Sequence, residues 1–211
     1  MFQVSKDSGT LLRLGAHPHA FSALMSKRLF DFTLASLALI LLGPSMLLIG
    51  AAVRLNSPGP ALYWSLRVGR QGKPFLMPKF RSMRVGTPTV ATHLLPDPDS
   101  HVTPLGRWLR RTSLDELPQL WSIVRGDMSL VGPRPALCNQ QTLHAMRETS
   151  GVHALAPGLT GWAQVHGRDD LDDAEKAAYD AEYLRTHCLA LDLRILCRTA
   201  LLVLRGEGIR H

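Results

Sequence analysis

Two carboxylates stand side by side at Asp115 and Glu116 in the stretch TSLDELPQLW. Arg107, Arg110 and Arg111 come just before them, and Arg125, Asp127 and Arg134 follow in the turn-rich RGDMSLVGPRP. Arginines neutralise phosphate oxygens bidentately, and a carboxylate among them can act as a nucleophile or hold a divalent ion. This combination suits phosphoryl chemistry. Further along, APGLTGWAQVHGR adds turn residues, the Gln164 amide and the Arg168 guanidinium. Plainer readings compete. Ser113 and Glu116 match the S/T-x-x-E capping box that opens many helices, and a single arginine commonly belongs to a solvated face. Pro118 weighs against the box, because in that register it falls inside the helix and pushes Leu117 away from helical angles. With Pro118 at the first helical position, Asp115 and Glu116 instead lie just outside a helix N-terminus. There the dipole keeps a carboxylate ionised and attracts phosphate. The residues alone leave both starts open.

The elements that hold these groups read as a helix-rich α+β chain. Residues 105–124 are helical in two pieces joined by SLDE. Before them, residues 61–68 and 74–83 lean towards strand and form a small hairpin with its turn near 69–73, which places Lys79 in the second strand. Residues 85–104, with four prolines, read as a surface loop, and 126–135 as another. A helix is expected over 136–150, a Gly-rich loop over 157–168 and an acidic, Ala-rich helix over 170–187. The final element, about 190–205, ends at Gly206, a common C-cap residue. On it Arg194, Arg198 and Arg205 fall within about 40° of one another on a helical wheel. That pattern fits an interfacial helix with its arginines towards headgroups, and equally a core helix with one wet stripe.

The longest uncharged run extends from Phe32 to Val53, 22 residues between Asp31 and Arg54. At about 1.5 Å per residue it is long enough to cross a hydrocarbon core of roughly 30 Å. Gly43 and Pro44 interrupt its middle. Pro44 deletes one helical hydrogen bond and crowds the preceding turn, at about 3 kcal/mol. Two half-helices bending at Gly43-Pro44-Ser45 would enter and leave on one side, whereas a kinked spanning helix is the alternative. Both flanks are positive: Lys27 and Arg28 before, and Arg54, Arg67, Arg70, Lys73, Lys79, Arg81 and Arg84 after. A basic excess on one side only is the mark of a crossing.

Lys and Arg outnumber Asp and Glu by 24 to 17 in the 211 residues, and the pI is about 9.8. An anionic partner follows: nucleic acid, acidic lipid or a phosphorylated substrate. No recognisable nucleic-acid motif accompanies the charge. Three widely spaced cysteines indicate neither a disulfide framework nor a zinc site, which favours a reducing cytosol. The apolar run is longer than a signal-peptide core and is read as retained. The expected organisation is a poorly ordered leader over 1–24, a membrane helix over 25–54 and a catalytic domain over 55–211.

KRLFD, PKFRSM, SLDELPQLW, GDMSLVGPRP and PGLTGWAQVHGR, in this order and spacing, resemble the catalytic core of the bacterial monotopic phosphoglycosyl transferases, also called bacterial sugar transferases, over about residues 25–206. The resemblance is to the family's minimal form. It implies a monotopic membrane protein with an N-terminal re-entrant helix-break-helix, a small β-hairpin and interfacial amphipathic helices around the active site. The implied reaction moves a sugar phosphate from a UDP-sugar to a polyprenyl phosphate, usually undecaprenyl phosphate. UMP is released, and a membrane-bound glycan begins, for downstream glycosyltransferases to extend. By the resemblance Asp115 is the nucleophile that forms a covalent phosphosugar intermediate, Glu116 is its dyad partner, and Mg²⁺ at this pair offsets the diphosphate charge. Lys79, Arg110, Arg134 and Arg168 match basic residues around the phosphates. The Pro133 to Pro135 turn shapes the pocket, and Trp162 and Gln164 belong to its nucleotide side. The implied setting is the cytoplasmic face of the bacterial inner membrane. Three departures stand out: Gly43 where serine is common before the membrane proline, His166 in place of the asparagine of an NGR triplet, and Glu182-Tyr183 where two aromatics are usual. A non-catalytic membrane-attached basic module, with SLDE as a cap only, is the alternative.

Overall fold

The computed structural model describes residues 18–90, 95, 97–167 and 170–205, with side chains from Leu24 onward except that of Pro98. The chain opens with helix α1, Pro18–Asn56, so residues 18–24 of the expected leader are helical. The helix also runs through Gly43 and Pro44 without interruption. The expected break into two helices is therefore not a break in helical structure. Pro44 removes only one donor, the partner of the Ile40 carbonyl. Next to it the Ser45 hydroxyl donates to the Leu42 carbonyl at 2.8 Å, a local bond that helps carry the helix past the proline.

α1 is long and apolar enough to cross a membrane, and its most apolar window is only 6% buried by the rest of the protein. Exposure is not even along it. Near the proline, Ile40, Leu41, Leu47 and Leu48 are 68–78% exposed. Both ends pack on one body. Towards the N-terminal end, Arg28 donates to the Ile123 and Val124 carbonyls, while Asp31 accepts from the Ser129 hydroxyl and the Leu130 N–H. At the C-terminal end Val53 is buried with Phe80 and Leu109. There the Arg81 guanidinium caps the helix, donating to the Ser57 carbonyl at 2.7 Å and to those of Val53 and Pro58. Arg28 and Arg81 are thus helix caps rather than members of a solvated basic flank.

The expected hairpin forms as β1, Leu62–Val68, antiparallel to β2, Pro74–Phe80, in register from Leu62 opposite Phe80 to Val68 opposite Pro74. Its turn is a short 3₁₀ segment, Arg70–Gly72. The pleat turns Ser65, Arg67, Met77 and Lys79 to one face, and leaves Trp64, Leu66 and Leu76 about half exposed on the other. Short helix α2, Pro98–His101, lies in the stretch read as loop. Then come α3, Pro104–Arg111, and α4, Gln119–Arg125, joined by a 3₁₀ turn at Leu114–Glu116. α3 starts where the Thr103 side chain accepts from the Gly106 N–H, with Pro104 at its first position.

Two stretches read as loop contain a parallel pair, β3, Ser129–Val131, and β4, Gly158–Thr160. Between and after them lie α5, Gln141–Thr149, α6, Asp173–Thr186, and α7, Leu189–Arg205. α6 opens on a complete capping box of Asp172 and Glu175. The main core joins Ala35 of α1 to Met77, Leu120, Ile123, Met128, Leu130, Val131, Tyr183 and Ile195. Glu182-Tyr183 therefore places its tyrosine in the core, where the hydroxyl donates to Asp192 at 2.6 Å.

Candidate active site

The position of the acidic pair is set by a reversal. Ser113, at φ +56° in the left-handed region, turns the chain sharply after α3. Its side chain caps nothing, so the capping box does not form. Pro118 instead stands just before Gln119, with Asp115 and Glu116 outside α4. From β2, Lys79 reaches Glu116 Oε1 at 2.9 Å, and Arg134 reaches the same oxygen at 2.9 Å. Among the described residues no hydrogen bond or ion pair holds the Asp115 carboxylate, although it is buried.

The two neighbours are driven apart electrostatically. Burial raises the Asp115 pKa to about 6, with the Glu116 charge adding to it and Lys79, Arg110 and Arg134 pulling the other way. Burial alone would also raise Glu116, but Arg134 and Lys79 outweigh it and hold that carboxyl well below the usual range. At Asp115 desolvation therefore outweighs the nearby cations. At pH 7 the group is still mostly a carboxylate, now a poorly solvated one. Carboxyls pushed apart in this way commonly hold different chemical roles.

Arg134 lies between Pro133 and Pro135, which have no N–H to offer, so this stretch is fixed through its carbonyls. The Pro133 carbonyl accepts from Gly158 N–H at 2.8 Å and the Arg134 carbonyl from Arg147 at 2.9 Å. Those of Pro135 and Ala136 accept from Arg67 at 3.2 Å and from the Val68 N–H at 3.1 Å. Arg67 is mostly buried, its pKa lowered to about 10 by burial and then by Arg134, so it stays cationic. Glycines allow the β3 and β4 loops to meet: a Cβ at Gly158 or Gly161 would run into the Gly132 backbone. Gln164 lies beside that crossing, and both its amide atoms, like the Trp162 indole N–H, are buried with no partner among the described residues. His166 stacks on Tyr179 at 4.8 Å and packs edge-on against Trp162 at 4.1 Å.

Lys79, Glu116 and Arg134 thus meet directly. Asp115 and Arg110 interact through charge, Pro133 and Pro135 frame Arg134, and Trp162 and Gln164 occupy the adjoining loop. Arg168 lies outside the described residues. Arg67, Arg147 and Asp180 join this machinery without having been singled out by motif. Only Arg67 carried a signal, an arginine on the same pleat face as Ser65. For Mg²⁺, the described residues offer no cluster of three or more acids, histidines or cysteines. The uncommitted oxygens of Asp115 and the second oxygen of Glu116 fit an ion that takes one or two carboxylates and completes its shell from phosphate and water.

The profile of the family described as bacterial sugar transferase matches residues 22–206. The chain is 41% identical over 189 residues to an undecaprenyl-phosphate glucose phosphotransferase of Komagataeibacter xylinus, covering 83% of this chain and 35% of that protein. It is 38% identical over 214 residues to an undecaprenyl-phosphate galactose phosphotransferase of Salmonella typhimurium, covering 94% and 44%. With an uncharacterized sugar transferase of Bacillus subtilis, EpsL, it shares 40% over 185 residues, 88% of this chain and 90% of the relative. The chain therefore spans less than half the length of the first two and nearly all of the third. The acidic pair, the proline-framed arginine and the loop that follows are held on a scaffold whose sequence is that of this family throughout, and the chain belongs to the bacterial sugar transferases.

Proposed function

We propose that this chain transfers a sugar phosphate from a UDP-sugar to undecaprenyl phosphate in two displacements at Asp115. In the first, an Asp115 oxygen attacks the phosphorus next to the sugar; the bond to the bridging oxygen breaks and UMP leaves with the electron pair. In the second, a phosphate oxygen of the lipid attacks the same phosphorus and the aspartyl bond breaks, returning the carboxylate. The observation that carries this reading is the contrast inside the pair. Glu116 is fixed by two cations, whereas Asp115 is buried, mostly ionised at neutral pH and, among the described residues, unbonded. Lys79, Arg110 and Arg134 sit where a diphosphate needs neutralising, and Mg²⁺ held by Asp115 and Glu116 supplies further neutralisation when bound.

α1 serves as a re-entrant anchor in this reading. Support comes from the two ends of α1 packing on one body while the apolar middle around Pro44 stays exposed. A crossing helix would part its ends by the membrane thickness. The proposed setting is the cytoplasmic face of the bacterial inner membrane, with glycosyltransferases extending the product. The galactose and glucose specificities in the names of relatives at similar identity leave the donor sugar to experiment.

Radiolabelled UDP-sugars incubated with purified protein and undecaprenyl phosphate should release UMP and leave a trapped protein adduct. Both should be lost in Asp115→Asn, by more than about a thousandfold in rate. A normal adduct in that variant would remove Asp115 as nucleophile. Leu24→Cys and Ser57→Cys, each in a background without Cys138, Cys188 and Cys197, should be labelled from the same side of the membrane; opposite sides would overturn the re-entrant anchor.

A further inference from the structure

Arg147 is 5% exposed, and no part of the proposed chemistry uses it. Its Nε and Nη2 both donate to Asp180 Oδ2, at 2.9 and 2.6 Å, joining α5 to α6. The remaining arm, Nη1, donates to the main-chain carbonyl of Arg134 at 2.9 Å. Arg134 in turn donates to Glu116 at 2.9 Å, in the residue next to Asp115. A continuous line therefore runs from Asp180 through Arg147 and the Arg134 backbone to the acidic pair.

We propose that Arg147, oriented by Asp180, is a positioning residue that sets Arg134 against Glu116 and Asp115. Three features support a positional role over a purely structural one. The flanking prolines leave the segment no N–H at 133 or 135, so its register depends on what its carbonyls accept. The planar guanidinium fork spends two arms on a buried carboxylate and so aims the third, which a lysine cannot do in the same way. A buried ion pair is also a poor source of stability: replacing both partners with apolar groups of similar volume is often neutral or favourable.

The inference rests on the proposed role of Arg134, and its test separates the two. Arg147→Met combined with Asp180→Leu should fold, with an unfolding midpoint close to that of the parent. Its kcat for sugar-phosphate transfer should fall about tenfold, the scale of losing an orienting partner. Per folded molecule the KM for the UDP-sugar should rise as well, because a displaced Arg134 no longer meets the diphosphate from its place beside Glu116. Arg147→Lys should recover part of the rate. Should the double variant fail to fold, Asp180→Asn, which keeps shape and an acceptor, should show the same two changes on a smaller scale. Kinetic constants per folded molecule equal to the parent's, with activity scaling only with folded protein, would overturn the positioning role. No transfer by the parent with any UDP-sugar would instead overturn the proposed function.

Discussion

Acids are buried in several places in this protein, and two of those places treat them oppositely. Where α1 meets β3 and α7, Asp31 and Asp192 lie near Lys27, both under 4% exposed. All four of their oxygens are engaged: Asp31 by the Ser129 hydroxyl and Leu130 N–H, Asp192 by Tyr183 and Lys27. Where α3 meets α4, Asp115 and Glu116 also lie beside a lysine, yet there the bonds all go to Glu116. Burial is common to both regions, so burial does not mark the reactive one. Hydrogen-bond saturation does. A carboxylate with each oxygen bonded braces helices, and one to which the described residues bring no bond keeps its nucleophilicity.

The largest break in this contrast should come from Asp31→Ala. It leaves the Leu130 N–H without its acceptor, turns the Ser129 hydroxyl to the Val131 carbonyl at 2.9 Å, and removes two bonds to a charged acceptor, worth about 3 kcal/mol together. Denaturation in matched detergent should show that loss, while the rate per folded molecule changes little. A variant with parental stability would mean the anchor is not a brace.

Asp115→Asn should do the reverse, losing transfer and gaining stability. The folded-state pKa of Asp115, about 6, lies above the ordinary aspartate value of 3.8. The folded protein therefore binds the extra proton between those values, and its stability falls as pH rises through the window. Above pH 6 the ionised group costs on the order of 3 kcal/mol, which the neutral amide does not incur. The variant should be the more stable protein at pH 7 and equal to the parent below pH 4. An advantage independent of pH would contradict the origin assigned to it. The acid limb of the parent's transfer rate should fall near pH 6 for the same reason.

How much of this shows in the sequence depends on the length scale of the signal. Seven-residue strands alternate enough for period two to register, and the hairpin with Lys79 was legible, as were the helices on either side of SLDE. β3 and β4 are three residues each and are held by glycine contacts from distant parts of the chain. No window of that size carries a period, so their stretches read as loop. Charge raises a different difficulty. Arg28, Arg81 and Arg147 count towards the same basic total as Arg134, but their guanidinium groups face helix-end or loop carbonyls inside the protein. A tally of charges cannot say which arginines face inward, because that depends on carbonyls brought near by tertiary packing. The raised pKa of Asp115 is hidden from the sequence for a related reason: nearby cations are visible there, and desolvation is not.

The finest test removes one donor from each region and compares the readouts. Tyr183 has one proton, and its 2.6 Å contact to Asp192 takes it in preference to the 3.2 Å contact to the Val131 carbonyl. Tyr183→Phe keeps the ring in the core and leaves Asp192 its 2.7 Å bond from Lys27. The expected cost is about 1 kcal/mol, with the pH–rate profile unmoved. Lys79→Met likewise takes one of two donors from a buried carboxylate, since Glu116 keeps Arg134. Lys79 is also the strongest charge lowering the Asp115 pKa, so its loss should raise that pKa and carry the acid limb above pH 6. If both variants shift the profile, or neither does, then bonded and unbonded acids are not doing different jobs here. A shift in Lys79→Met alone would locate the difference in Asp115, the one buried acid of the two regions for which the described residues supply no bonded partner.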